Sequence, residues 1–141
     1  MRHLALLALA GCASQPSKPD ALPAAPANID WNAAKTVKVD MTDFDFIPAK
    51  VSFESAQSVK LMLVNDGTDH HDFSAPAFFA ASSLRQGSTG PAGGKVSLAK
   101  GKTAVIDLVP GAPGNYPLTC TEFLHEMFGM TGAITVTAAS H

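Results

Sequence analysis

Cys120, His125 and Met130 fall at five-residue steps, C-x4-H-x4-M, on one loop between two strand-like segments within Tyr116 to Val136. Thiolate, imidazole and thioether offered to one small volume form a ligand set for copper. The sulfur groups select Cu(I), imidazole suits both oxidation states, and a Cys-His-His set with a weak axial Met describes an electron-transfer site. Such a set needs a second histidine. The run Asn65-Asp-Gly-Thr-Asp-His-His-Asp-Phe-Ser supplies one at the start of another strand-like segment, through His71 or its neighbour His70. Side chains alternate across a strand, so only one of the two can face the pocket.

Two patterns, N-x-G-x-x-x-H-D-F (Asn65, Gly67, His71, Asp72, Phe73) and Y-x3-C-x4-H-x4-M-x-G-x-I-x-V (from Tyr116 to Val136), resemble the type 1 (blue) copper proteins, or cupredoxins, the group of plastocyanin, azurin and rusticyanin. The resemblance runs from Lys35 to Thr137 and is specific at the ligand loop. It implies that His71, Cys120 and His125 are the strong equatorial ligands of one copper ion per chain, cycling between Cu(I) and Cu(II). Met130 is then the long axial ligand, because the family places that residue just before the last strand, which Met127 does not satisfy. His70 is left exposed. The resemblance also implies that electrons enter and leave at the edge of His125, where Phe123, Leu124, Met127 and Phe128 would form a docking collar for redox partner proteins.

The remaining residues narrow the chemistry. Of five histidines, His3 and His141 lie at the ends of the chain, leaving too few for a separate catalytic copper built from additional imidazoles. No serine-hydrolase constellation and no glycine-rich phosphate loop is present, so the expectation is an electron shuttle with no small-molecule substrate, and not an enzyme. Storage or delivery of Cu(I) is the alternative use of the same soft ligands. Asp72, Glu122 and Glu126 read as solvated charges rather than ligands. A formal charge of −2 offers no basic footprint for nucleic acid.

The elements that must position the ligands read as strands. Val37, Val39 and Met41 alternate with Lys38, Asp40 and Thr42, Val51 and Phe53 with Ser52 and Glu54, and Val59, Leu61 and Leu63 with Lys60 and Met62. Phe44 and Phe46 prolong the first run. Further strands are expected at His71 to Pro76, Lys95 to Leu98, Thr103 to Val109, Tyr116 to Cys120 and Met130 to Thr137, with one short helix over Ala77 to Leu84. About eight short strands separated by Gly/Pro turns predict an all-β, antiparallel sandwich, and the resemblance makes it a Greek-key, cupredoxin-like one. A chain of 141 residues with 46% hydrophobic content suffices for one packed domain, expected over residues 35–141.

Residues 1–11 have a positive start and a short apolar run and read as a signal peptide. Leu9-Ala10-Gly11-Cys12 resembles a bacterial lipobox, which implies cleavage before Cys12 and lipidation of its sulfur. Residues 12–34, rich in Pro and Ala, then form a tether. The chain is thus expected to be exported and anchored by lipid to the bilayer, on the periplasmic face of a bacterial membrane. Cys12 and Cys120 are the two cysteines. With Cys12 acylated, Cys120 is a lone thiol in an oxidising compartment, and metal ligation would protect it.

Overall fold

The computed structural model describes residues 22–125 and 127–140. The expected signal peptide, Cys12 with the first part of the tether, Glu126 and His141 lie outside the described residues. Among those described, the period-two runs form strands: β1 (Lys35–Thr42), β2 (Asp45–Ile47), β3 (Lys50–Glu54), β4 (Val59–Asn65), β5 (His71–Ser74), β6 (Ser82–Leu84), β7 (Lys95–Leu98), β8 (Thr103–Pro110), β9 (Gly114–Thr119) and β10 (Thr131–Thr137). They make two five-stranded sheets, ordered β2-β1-β4-β8-β6 and β3-β10-β9-β5-β7. Because β2 and β3 follow β1 but lie in different sheets, the chain crosses the sandwich before returning. β4 therefore pairs with β1 in parallel, as β3 does with β10, while the other pairings are antiparallel.

Alternation decides what lies between the sheets. Val39, Met41, Leu61, Leu63 and Leu108 from one sheet are fully buried against Phe73, Leu118 and Ile134 from the other. Each such side chain withdrawn from water contributes on the order of 1.5–3 kcal/mol before entropic costs. Aromatic rings bridge the layers, Phe46 against Phe73 edge to face at 6.0 Å and Phe73 against Phe79 at 6.0 Å.

The expected helix over Ala77 to Leu84 is shorter than its sequence suggests. Helix α1 spans Pro76–Ala80, and Ser82 to Leu84 instead form β6. Pro76 favours the first turn, where its missing N–H costs nothing. A five-residue helix is not stable by itself; Phe78 and Phe79, both fully buried, hold it to the core. The Ser82 hydroxyl donates to the Phe78 carbonyl at 2.8 Å as the chain leaves the helix, and Ser82 then pairs with Pro110.

The second half of the expected tether is laid along the domain. Leu84 N–H donates to Pro23 C=O at 2.9 Å and Ala25 N–H to Leu84 C=O at 2.7 Å, so Ala24 bridges the outer strand β6 in parallel. Asp30 C=O accepts from the Ser58 hydroxyl at 2.9 Å, and the Arg85 guanidinium sits 5.4 Å over the Trp31 ring. This segment reaches β6 from the end of the sandwich where Ser55, Pro110 and Thr137 are joined by backbone hydrogen bonds through Ser55 and Ala56. The opposite end carries the turns after β1, β4 and β9.

Leu61→Ala should lower the unfolding free energy by about 2–5 kcal/mol through lost burial and a residual cavity. Val105→Thr, on a side chain 44% exposed, should change it by less than about 0.5 kcal/mol. Urea titrations of the two variants check this, and equal effects would contradict the sheet faces assigned here.

Candidate metal centre

His71 opens β5, and Cys120 and His125 follow the end of β9, so the topology brings residues far apart in sequence to one end of the sandwich. The loop before His71 is stapled by Asn65, which is fully buried. Its amide nitrogen donates to Asp69 C=O at 2.9 Å and Leu98 C=O at 2.8 Å, and its oxygen accepts from Gly67 N–H at 2.9 Å. Glycine is required at 67 because a Cβ there would meet His71 Nε2 and Asp43 Oδ1 at 2.5 Å. The other loop closes on itself: Cys120 N–H donates to Met130 C=O and Met130 N–H to His125 C=O, both at 3.1 Å.

Three donor atoms converge as a result. His71 Nδ1 lies 3.1 Å from His125 Nδ1, and Cys120 Sγ lies 3.5 Å from His125 Nδ1 and 3.9 Å from His71 Nδ1. A point equidistant from atoms so spaced lies about 2 Å from each, the length of a metal–imidazole bond (about 2.0–2.1 Å) and a little short of a metal–thiolate bond (about 2.3 Å). Two imidazoles and one thiolate in a trigonal set, fully buried except for an 8% exposed His125, fit copper better than they fit a hard cation. Met130 is fully buried in the same core cluster as Cys120, whereas Met127 is 81% exposed. Of these two methionines, Met130 is therefore the one whose thioether lies inside the protein.

His70 is exposed, as strand alternation required. Asp72 departs from expectation. Read as a solvated charge, it is wholly buried, because the outward face of β5 is covered by the residue after Cys120. Its carboxylate accepts from Thr121 N–H at 2.8 Å and from the Thr121 hydroxyl, with Lys95 Nζ at 3.5 Å. Its own N–H points at Cys120 Sγ, 3.4 Å away. Asp72 thus fixes the chain on the far side of Cys120 and aims a donor at the sulfur. Burial pushes the Cys120 thiol above its ordinary range, while the backbone N–H groups of Asp72 and Glu122 pull the other way. A metal entering the pocket must displace that proton.

Two residues with no motif to single them out brace the imidazoles from the turn between β1 and β2. Asp43 Oδ1 lies 2.9 Å from His71 Nε2, the nitrogen turned away from the other donors. The Thr68 hydroxyl at 2.6 Å, followed by His71 and the Thr68 N–H, holds the Asp43 carboxyl well below the usual carboxylate range. Phe44 packs edge to face on the His125 ring at 5.1 Å and against Phe128 at 5.1 Å. It does so at φ +104°, a conformation side chains rarely adopt and which costs on the order of 1–3 kcal/mol. Around it, Phe123, Met127 and Phe128 are 85%, 81% and 64% exposed, an apolar rim beside the nearly covered His125.

Residues 3–136 match the cupredoxin-like domain family. Among solved structures, the chain is similar to auracyanin B, with 20% identity, a TM-score of 0.56, and 84% of this chain and 95% of that one covered. It is similar to dithionite-reduced auracyanin from the photosynthetic bacterium Roseiflexus castenholzii at 19% identity and TM-score 0.56, covering 74% and 98%. It is also similar to a multicopper oxidase from Campylobacter jejuni, a metallo-oxidase, at 13% identity and TM-score 0.56, covering 73% of this chain and 30% of that one. At these identities the likeness is one of fold. No curated protein matches the sequence.

Asp72→Ala should destabilise the metal-free chain by about 1.5–3 kcal/mol, the cost of losing hydrogen bonds to a charged group and leaving Thr121 N–H without its acceptor. Asp72→Asn, which can still accept from Thr121 N–H, should lose less. Chemical denaturation of both variants checks the order, and an Asp72→Ala chain as stable as the parent would contradict this placement of the carboxylate.

Proposed function

The chain belongs to the cupredoxin-like domain family, and from that premise we propose that it is an electron carrier with one type 1 copper, ligated by His71, Cys120, His125 and Met130 and held at the periplasmic face of a bacterial membrane. The observation that carries this reading is the triangle of Nδ1, Nδ1 and Sγ, whose atoms lie 3.1 to 3.9 Å apart. Copper bound there supplies a one-electron couple, Cu(II)/Cu(I).

The chain's own residues supply the rest. Asn65, Asp72 and the Cys120–Met130 backbone bond hold the donors in one arrangement for both oxidation states, so little has to move when the electron arrives. Phe73, Met130 and Leu118 keep water from the buried side of the pocket. His125, screened on one side by Phe44, is the ligand nearest solvent, and the rim of Phe123, Leu124, Met127 and Phe128 offers a redox partner a small apolar landing that binds briefly.

The export and anchoring part rests on the lipobox-like Leu9-Ala10-Gly11-Cys12. No helix among the described residues is long and apolar enough to cross a membrane. The chain joins the sandwich at the end opposite the donors, so an anchor upstream would turn the metal end toward the aqueous phase.

Delivery of Cu(I) is the second reading, and the observation in its favour is the exposed thioether of Met127 on the same loop as His125. A carrier should give reversible voltammetry and keep its metal, whereas a delivery protein should hand Cu(I) rapidly to a chelator.

Copper(II) bound to the purified domain should show an intense visible thiolate charge-transfer band that vanishes on reduction, with one copper per chain. Cys120→Ser should abolish the band without unfolding the chain. A colourless Cu(II) form of the parent protein would defeat this reading.

A further inference from the structure

The two imidazoles of the donor set are not equivalent, and the difference lies in what their second nitrogens meet. His125 Nε2 has no hydrogen-bond partner among the described residues, whereas His71 Nε2 lies 2.9 Å from the Asp43 carboxylate. His71 is fully buried, while the Asp43 side chain, 30% exposed, reaches it from the β1–β2 turn. The carboxylate is itself fixed. Oδ1 accepts from Thr68 N–H at 2.9 Å and Oδ2 from the Thr68 hydroxyl at 2.6 Å, and a Cβ at position 67 would meet both the carboxylate and the imidazole at 2.5 Å, so glycine there lets the two approach.

We propose that Asp43 is a positioning residue of the metal centre, which fixes His71 as its Nε2–H tautomer and, by placing a negative charge on the far side of that ring, favours the oxidised over the reduced ion. An ionised carboxylate can only accept, so the neutral His71 ring must carry its one proton on Nε2 to satisfy it. Nδ1 is then bare and points into the pocket. His125 Nδ1 lies 3.1 Å from it; to satisfy that bare nitrogen His125 would carry a proton on Nδ1, which a bound ion would replace with loss of the proton to solvent. Histidine ligands whose other nitrogen donates to a carboxylate are oriented by it and made more basic. A more basic imidazole stabilises the more highly charged ion more. The contrast with His125 gives the pair a division of labour: His71 is the charge-supported, buried ligand and His125 the unsupported one facing the rim.

The tautomer part of this inference stands independently of the electron-carrier reading; the redox part rests on it. Three measurements on the parent chain, Asp43→Asn and Thr68→Val test both. Nitrogen-15 NMR of the metal-free chain at neutral pH should show the Nε2–H tautomer of His71 in the parent and a mixture in Asp43→Asn. Competition for Zn(II), which involves no redox change, should show about a tenfold weaker affinity in Asp43→Asn, at the lower end of what such partners contribute. Voltammetry of the copper forms should show the potential of Asp43→Asn raised by about 59 mV, the one-electron equivalent of a tenfold change in the Cu(II)/Cu(I) affinity ratio. Thr68→Val, which keeps the charge but loosens it, should shift both quantities in the same direction by less, and serves if Asp43→Asn folds poorly. An unchanged tautomer and Zn(II) affinity would overturn the proposal, and an equal loss of Cu(I) and Cu(II) affinity at constant potential would overturn its redox part. A parent chain without a reversible wave defeats the carrier reading instead, and leaves the NMR and Zn(II) results to decide the role of Asp43.

Discussion

Two imidazole nitrogens and a sulfur do not gather within 4 Å of one another unless something holds them there, and that crowding is the constraint on which the rest of this structure turns. Each of the three is buried, and a buried polar atom with no partner costs on the order of 1–3 kcal/mol. The protein meets the cost with neighbours. Cys120 Sγ faces the Asp72 N–H, His71 faces Asp43, and the two Nδ1 atoms face each other. The site is therefore a set of mutually satisfied groups before it is a set of ligands.

What keeps the donors from relaxing apart is the way two loops are closed from outside. Asn65 binds its loop to β7 through Leu98 and to itself through Gly67 and Asp69. Cys120, His125 and Met130 are joined to one another through the backbone, so the ligand loop is a short ring tied at the mouth of the β9–β10 hairpin. Asp72 then links the two, since one side chain on β5 fixes the residue after Cys120, just beyond the end of β9. Displacing either loop would break hydrogen bonds made to a fully buried carboxylate and a fully buried amide, and that is why the arrangement is specific.

The strands and the donors were legible in the sequence because both are periodic or locally spaced. Val37, Val39 and Met41 announce a half-buried strand, and the steps from Cys120 to Met130 announce a ligand loop. Other features were hidden for physical reasons. Ser82 to Leu84 form a strand only because β8 lies alongside, and next to the Ala-rich Ala77 to Ala81 they read as more helix. Asp72 does point away from the pocket, as alternation says, but whether that face meets water depends on where Thr121 comes to rest, 49 residues later. Asp43 lies 28 residues before His71 in a turn with no motif of its own. Phe44 looked like another alternating apolar residue, and its left-handed backbone, which turns its ring onto His125, has no signature in composition.

The segment bridged to β6 has a bearing on how copies of this protein behave side by side. A bare strand at the margin of a sheet is a template onto which a neighbouring molecule can add its own backbone. Here that margin is occupied from within by Ala24 and Ala25, and the residues on either side are Pro23 and Pro26, which have no N–H to give to a further strand. The sheet stops growing at a pair of prolines. A neighbouring copy of this protein would thus find no ladder to extend on this flank.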